Sequence, residues 1–365
     1  MSERVALDEL EARDWDALVR AAPRPSPFLL HAWLAAWWSH YGEGGELDVR
    51  VVRRNGRLAG ALPLCVRPRR GLRVLEFLGA EQAHLADVLG DPESASLLTA
   101  SLASHAADFA DLYGLPAGSR AATLLPLRLV ARVEAPVLDL DRPWEEIYAA
   151  KFSAKTRQTQ RRKLRRLEDE GRVQFRLAET PDDVVRALGE SFRLHELRWR
   201  DRRDGSDYST ERGRAFQHAA YRTLAGQGIA RVLVLELDGR AIAFNCHLVL
   251  EGRLYSHRLG FDPAFARFSP GLLCTLDMCE RAVSEGLTLV EWLGGDEEYK
   301  LQLADRLDPL LEGFGLARTL RGHAAVGVRI AAVQARQRLK RVPALRRLYE
   351  GRPVRRRTAS AYAAR

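Results

Sequence analysis

The sequence predicts an α/β protein of two tandem lobes, each a mixed, mostly antiparallel sheet flanked by helices, followed by a basic C-terminal tail. Three observations carry this. A strand–turn–strand unit occurs twice, offset by 183 residues: "VVRRNGRLAGALPLCV" from Val51 and "VLELDGRAIAFNCHLV" from Val234. Stretches of helical periodicity bracket both copies. The positive charge gathers at the C-terminus.

Taken in order, the first copy opens on a helix in "SPFLLHAWLAAWWSHY" and then its first strand. An Asn-Gly turn between two apolar strands is the strongest short hairpin signal, and the second copy repeats it as Asp-Gly. A third strand follows in each, "LRVLEFLG" and "RLYSHRLG", both ending Leu-Gly, and the meander gives way to helices around Ser94–Tyr113 and Pro270–Glu285. The second copy is preceded by helices in "PDDVVRALGESFRLHELRWRD" and "STERGRAFQHAAYRTLAGQG", and "LTLVEWLG" after its last helix reads as a buried strand parallel to the third. Self-similarity at half the chain length makes two similar lobes the economical reading. The division expected is a first lobe over 1–145, a second over 146–320 beginning with a basic linker helix at 146–170, and a tail over 321–365.

Composition narrows the class. A chain of 365 residues that is 46% hydrophobic can bury two cores unaided. No apolar run approaches a membrane span, the charged start "MSERVALDELEARD" lacks a signal core, and the four cysteines form no C-x-x-C pair. The chain reads as cytoplasmic and metal-free. The net charge is +9, but 13 basic residues and one acid lie beyond Leu320, leaving 44 basic and 47 acidic residues before it. The tail, not the folded body, is basic. That suits docking on an anionic membrane surface at the inner face and argues against dedicated nucleic-acid binding. A second basic run, Lys151 to Arg166, holds eight basic residues and no acid.

The copies differ where chemistry would sit. With Glu251-Gly252 as a two-residue turn, His247 faces Ser256 and Asn245 faces Arg258, so four polar side chains share one sheet face. The matching positions in the first copy are Leu62, Leu64, Leu75 and Phe77. Buried polar groups cost about 1–3 kcal/mol each unless partnered, so Asn245, His247, Ser256 and Arg258 are expected to line a substrate pocket rather than merely bond a neighbouring loop. The entrance of the last helix differs too. Ser269 is a favoured N-cap and Pro270 suits the first helical position. With Arg267 nearby and N–H donors expected at Gly271, Leu272 and Leu273, this entrance fits a phosphate or pyrophosphate. The first copy offers "LADVLGDPESASLL", whose Asp87, Asp91 and Glu93 cap a helix but repel phosphate.

The stretch "RLGFDPAFARFSPGLLCTLDMCERAVSEGLTLVEWLGGDEEYK", with "KTRQTQRRKLRRLEDEG" before it, resembles the GNAT-type acetyltransferases grouped with the cellulose-biosynthesis-associated CelD proteins. More distantly it is similar to the Fem-type aminoacyl transferases, which pair two GNAT-like lobes. The resemblance is strong from about Lys151 to Lys300, weaker in the N-terminal half, and does not reach the tail. It implies acyl-CoA, with acetyl-CoA first, as co-substrate, its pyrophosphate seated on Arg267-Phe268-Ser269-Pro270-Gly271 and the donors of Leu272 and Leu273. Leu273 stands where the family pattern has a second small residue, which puts the contact there in doubt. The pattern extends to "GGDEEYK". Acyl transfer to an amine needs a base, a donor for the departing thiolate and positive charge near the oxyanion. Asp296, Tyr299 and Lys300 are the candidates for those roles, with Tyr255 and His257 as alternates; a glycine-rich turn capping the next helix is the plainer reading of the same segment.

The expected function is therefore acyl-CoA-dependent N- or O-acyl transfer by the second lobe, the first being a degenerate partner. Family analogy points to a small-molecule or glycan-precursor acceptor in envelope or exopolysaccharide synthesis. A Fem-like transferase using aminoacyl-tRNA, or a non-catalytic adaptor docking through the tail, are the alternatives. Oligomeric state is not legible.

Overall fold

The computed structural model describes residues 2–79, 82, 84–199, 206–295 and 297–341. In chain order the elements begin with β1 (Ser2–Val5), α1 (Ala12–Arg20), α2 (His31–Tyr41), β2 (Glu46–Arg54), β3 (Arg57–Arg69) and β4 (Leu72–Phe77). Next come β5 (Leu89–Gly90), α3 (Pro92–Ser101), β6 (Phe109–Pro116), α4 (Arg120–Leu124) and β7 (Leu127–Asp139). They continue with α5 (Trp144–Lys151), α6 (Ala154–Glu168), β8 (Val173–Ala178), α7 (Pro181–Trp199), α8 (Glu211–Gly226), β9 (Ala230–Leu237) and β10 (Arg240–Leu250). The last are β11 (Arg253–Phe261), α9 (Pro270–Ser284), β12 (Leu289–Glu291), α10 (Glu298–Leu303), β13 (Arg306–Gly315) and α11 (Leu320–Arg341). No helix among the described residues is long and apolar enough to cross a membrane.

The chain forms two compact units. One holds residues up to Val133 together with those from Asp308 onward; the other is Glu134–Leu307. Both expected hairpins form, on turns whose two residues take positive φ: Asn55 and Gly56 (51° and 76°), then Asp238 and Gly239 (50° and 78°). Positive φ at both central residues is what a tight two-residue hairpin turn demands, and Asn, Asp and Gly meet it cheaply.

In the first unit the strand order is β1-β2-β3-β4-β6-β13, followed by the first part of β7. The meander β2-β3-β4 is antiparallel, and β6 returns parallel to β4, pairing Val74 with Phe109. Leu62, Leu64, Leu75 and Phe77 are all fully buried in one core with Leu98 and Leu112. The expected helix through Tyr113 stops at Ser101; residues 109–116 are the buried strand β6. In the second unit the order is β7-β12-β11-β10-β9-β8, again an antiparallel meander (β9-β10-β11) with a parallel return. The duplication read from the sequence is thus present in the topology.

The expected boundaries at 145/146 and 320/321 differ from these units, for a specific reason. The end of β7 follows the first copy in sequence but pairs with β12 of the second unit, Leu138 against Val290. Strand β13 follows the second copy but pairs with β6 of the first, Phe314 against Asp111. Each unit's sheet is completed by the strand that trails the other copy. The expected linker helix is two helices, α5 and α6, with Ser153 between them accepting the N–H of Thr156 at 3.2 Å as N-cap. The start of the expected tail is α11, held to β6 by Arg329 donating to Asp111 at 2.7 Å. The rest of the tail, beyond Arg341, lies outside the described residues.

Candidate functional site

The second unit opens where β11 and β12 part. The two strands pair in parallel only from Arg253 to Tyr255, whereas β11 runs on to Phe261. The chain leaving β12 turns instead toward β7, Trp292 donating to the Pro136 carbonyl at 3.0 Å and Gly295 to that of Glu134 at 3.1 Å. Among the described residues no strand covers the Ser256–Phe261 edge on that side. An uncovered sheet edge beside the mouth of α9 is the geometry that an extended ligand can complete with backbone bonds.

A β-bulge in β11 sets which side chains reach which face. His247 pairs with Ser256, as the sequence implies, but Cys246, not Asn245, pairs with Arg258, and His257 is the extra residue. The expected four-residue set is therefore split. Asn245, His247 and Ser256 stay on the face toward α9, where Asn245 Nδ2 donates to Ser256 Oγ at 3.3 Å. They are at most 6% exposed. His247 lies among Leu177, Leu233, Leu254 and Met278, and burial, with the Arg231 guanidinium, pushes its pKa down to about 3. It is a neutral imidazole packed beside a small, mostly apolar cavity under α9. Arg258 and His257 turn to the opposite face, under α7 and α8. There Tyr221 and His257 Nδ1 share a hydrogen bond of 2.8 Å, and the Arg258 guanidinium stands 5.6 Å from the Tyr208 ring centroid. The bulge reverses the alternation on which the sequence reading depended.

At the mouth of α9, Asp262 accepts the Ala264 N–H at 3.0 Å and starts a short 3-10 helix over Pro263–Phe268. Ser269 then takes a left-handed conformation (φ 55°, ψ 48°), uncommon for a residue with a side chain and frequent at ligand-binding turns. Its hydroxyl does not cap the helix as expected. It accepts a hydrogen bond from Lys163 Nζ of α6 at 2.7 Å. The expected trio of free donors is also corrected: Leu272 and Leu273 both donate to the Ser269 carbonyl, at 3.0 and 3.1 Å. The fourth helical N–H already has its partner one turn back, so only the first turn offers donors. Gly271 N–H has no partner among the described residues. A Cβ on Gly271 would sit 3.1 Å from the Phe261 ring, so glycine lets the helix approach the end of β11. Arg267 lies over Phe268 (4.5 Å to the centroid) and pairs with Glu170 at 2.9 Å on the surface. The seat thus combines one backbone donor, a helix N-terminus, the Ser269 hydroxyl and two cations, of which Lys163 was not singled out from the sequence.

Beyond β12, Asp296 lies outside the described residues. Tyr299 packs edge-on against Trp292, ring centroids 6.1 Å apart, and burial with the nearby Glu297 carboxylate raises its pKa. It remains a protonated phenol at any physiological pH. Lys300, 12% exposed, pairs with Glu297 at 3.1 Å. Gly295 makes that pair possible, because a Cβ there would strike the Glu297 carboxylate and lie 2.8 Å from Lys300 Nζ. On the other side of the opening, Arg198 of α7 stacks on Phe261 at 4.8 Å. The alternate Tyr255 is fully buried. Among the described residues no group of three or more His, Cys, Asp and Glu side chains could hold a metal ion.

Residues 154–301, which hold Lys163, Arg258, Arg267, Ser269, Gly271, Tyr299 and Lys300, match the family model of the acetyltransferase (GNAT) domain. No curated protein matches the chain. Among solved structures the chain is similar to FemX, with a TM-score of 0.58 at 12% identity, covering 86% of this chain and 96% of that one. It is similar to the C-terminal domain of a lysylphosphatidylglycerol synthetase candidate from Agrobacterium fabrum (0.57, 16%, 88% and 96%). It is also similar to a tandem GNAT protein from the clavulanic acid biosynthesis pathway (0.50, 14%, 87% and 99%). Identities this low speak for the fold alone: two tandem lobes, the second holding the stretch that matches the acetyltransferase model.

Proposed function

We propose that the second unit transfers an acyl group, acetyl first, from acyl-CoA to the amine or hydroxyl of a small acceptor, while the first unit is catalytically silent. The observation that carries this reading is the uncovered edge of β11 running into a mouth furnished with the Gly271 N–H, Ser269 and Lys163. Such a seat suits pyrophosphate, since a helix N-terminus and an ammonium both favour dense negative charge. The residues fit the co-substrate in kind, with Lys163 supplying charge where the Leu272 and Leu273 donors are engaged in the helix.

Thioesters supply an activated acyl carbon; the chain supplies position and protons. Tyr299, held protonated, suits the donor to the departing sulfur. The Lys300 charge is shared with Glu297 and serves to hold the turn that presents Tyr299. Asp296 is proposed as the group that orients or deprotonates the acceptor, by its place in "GGDEEYK". The matching edge of the first unit is lined by carboxylates occupied as caps: Asp91 accepts the Ser94 N–H and Asp87 that of Ala121. That favours one active lobe. A glycan-precursor acceptor and docking of the basic tail on an anionic membrane are proposed on the family resemblance and on charge.

Calorimetric titration of CoA and acetyl-CoA into the purified chain, beside a Gly271→Asp variant whose thermal unfolding is unchanged, tests the reading. Micromolar binding lost in the variant supports it; absence of binding to the wild type refutes it. Salt-sensitive tRNA binding without CoA binding would instead establish the Fem-like alternative, which the similarity to FemX favours.

A further inference from the structure

The face of the sheet under α7 and α8 holds polar atoms that the chemistry above does not use. Arg258 Nε is buried and has no hydrogen-bond partner, and no carboxylate among the described residues lies within ion-pair distance of this guanidinium. On α8, Gln217 is fully buried, and neither its amide oxygen nor its nitrogen has a partner. Gln217 stands one turn before Tyr221, on the same side of the helix, and Tyr221 contacts His257, the residue beside Arg258. The side chains nearest Arg258 that the structure describes, Tyr208, Tyr221 and Cys246, are neutral, and the buried Asp207 beside Tyr208 makes no ion pair with it among the described residues. Burial raises the pKa of Tyr208 and Tyr221 and pushes the Cys246 thiol up to about 11. Arg258 is half-buried, so only part of its guanidinium is withdrawn from water, but native proteins rarely leave buried polar atoms such as its Nε and both ends of the Gln217 amide unpaired.

We propose that this face holds the acceptor, and that Arg258 anchors it through a carboxylate while the Gln217 amide bonds a neighbouring polar group. The inference rests on the acyltransferase reading of the same unit and names the acceptor's chemistry. One guanidinium that has no carboxylate partner among the described residues balances one negative charge. A phosphate dianion would leave a net charge buried, whereas a carboxylate does not. Because β11 carries Arg258 on this face and its uncovered edge beside β12, an acceptor held here by its carboxylate meets the acyl donor across one strand. The overall step is balanced: the acceptor nitrogen gains the acyl group, and its proton leaves with the thiol.

The test uses the full chain and matched acceptors: L-amino acids, the amines that lack only the carboxylate, and aminoalkyl phosphates, each with acetyl-CoA and thiol release as readout. The carboxylate-bearing members are expected to be preferred, and Arg258→Gln to lower their kcat/KM by about 10–100-fold. The same variant should change the amines by less than about 3-fold, and Arg258→Lys should restore part of the loss. Calorimetric CoA binding, unchanged in Arg258→Gln, separates this proposal from the acyl-CoA reading. Should CoA fail to bind, the same amino acids and amines are titrated into wild type and Arg258→Gln directly. Preference for amines or phosphates, no carboxylate-bearing acceptor used or bound, or an equal loss on all acceptors in Arg258→Gln overturns the proposal.

Discussion

Lys163→Met offers the sharpest test of the seat at the mouth of α9. The substitution keeps a long apolar stem on α6 and removes the ammonium that donates to Ser269 at 2.7 Å. Lys163 is half-buried, so its charge is only partly screened. A charge-assisted hydrogen bond contributes about 1.5–3 kcal/mol when well enclosed; discounted for partial exposure, about 1–2 kcal/mol remains. At about 1.4 kcal/mol per decade this is a 5–30-fold rise in Kd for CoA. The assay is calorimetric titration of CoA and of pantetheine, which lacks the pyrophosphate, into wild type, Lys163→Met and Arg166→Met. Arg166 is exposed on the same helix and serves as control for loss of general positive charge. CoA should weaken in Lys163→Met only, pantetheine in neither. A CoA affinity within 2-fold of wild type, or an equal loss for pantetheine, would show that Lys163 serves the fold rather than the phosphate, and the seat would have to be redrawn around Gly271 and Arg267.

Further outcomes follow from other contacts. Tyr299→Phe should lower kcat by about 100-fold or more with KM little changed, and because its pKa is raised, wild-type kcat should show no Tyr299 decline below pH 10. His247, neutral when folded with a pKa of about 3, protonates near pH 6.5 once unfolded; its contribution is complete above pH 6.5 and is lost as pH falls toward 3. Between pH 7.5 and 5 this group should cost about 2 kcal/mol in urea unfolding of the wild type, and His247→Leu should lose correspondingly less. Gly260→Ala drives a methyl into the Phe244 ring and should lower the melting temperature by several degrees, at about 1–3 kcal/mol.

Local signals were the ones legible in the sequence. Asn55-Gly56 and Asp238-Gly239 announced their hairpins because few residues tolerate positive φ twice in succession. Pro270 and the leucine spacing after it placed the start of α9 within a residue. The site was legible as a segment but not as a geometry. Alternation counted from Glu251-Gly252 failed at His257, because a bulge adds one residue to β11 and nothing in "YSHRLG" marks it. Lys163 was hidden among eight basic residues that share no distinguishing spacing; only the fold shows which of them meets Ser269. Phe109–Pro116 was absorbed into a helix because a short apolar run suits either state.

The exchange of β7 and β13 has a consequence for how such a chain is made and kept. On the ribosome the first half cannot close its sheet when it emerges: Phe314 must reach Asp111 across about two hundred intervening residues, so the earliest-synthesised unit finishes last. The same crossing ties inheritance together. A duplicated gene whose copies fold independently can shed the idle one by a single deletion. Here, deleting the first copy together with the strand that trails it in sequence would remove Val137, Leu138 and Asp139, which pair with β12 of the second unit. Each copy thus supplies a strand that the other unit's sheet needs, so trimming either one at its own boundary leaves the other with an unpaired strand.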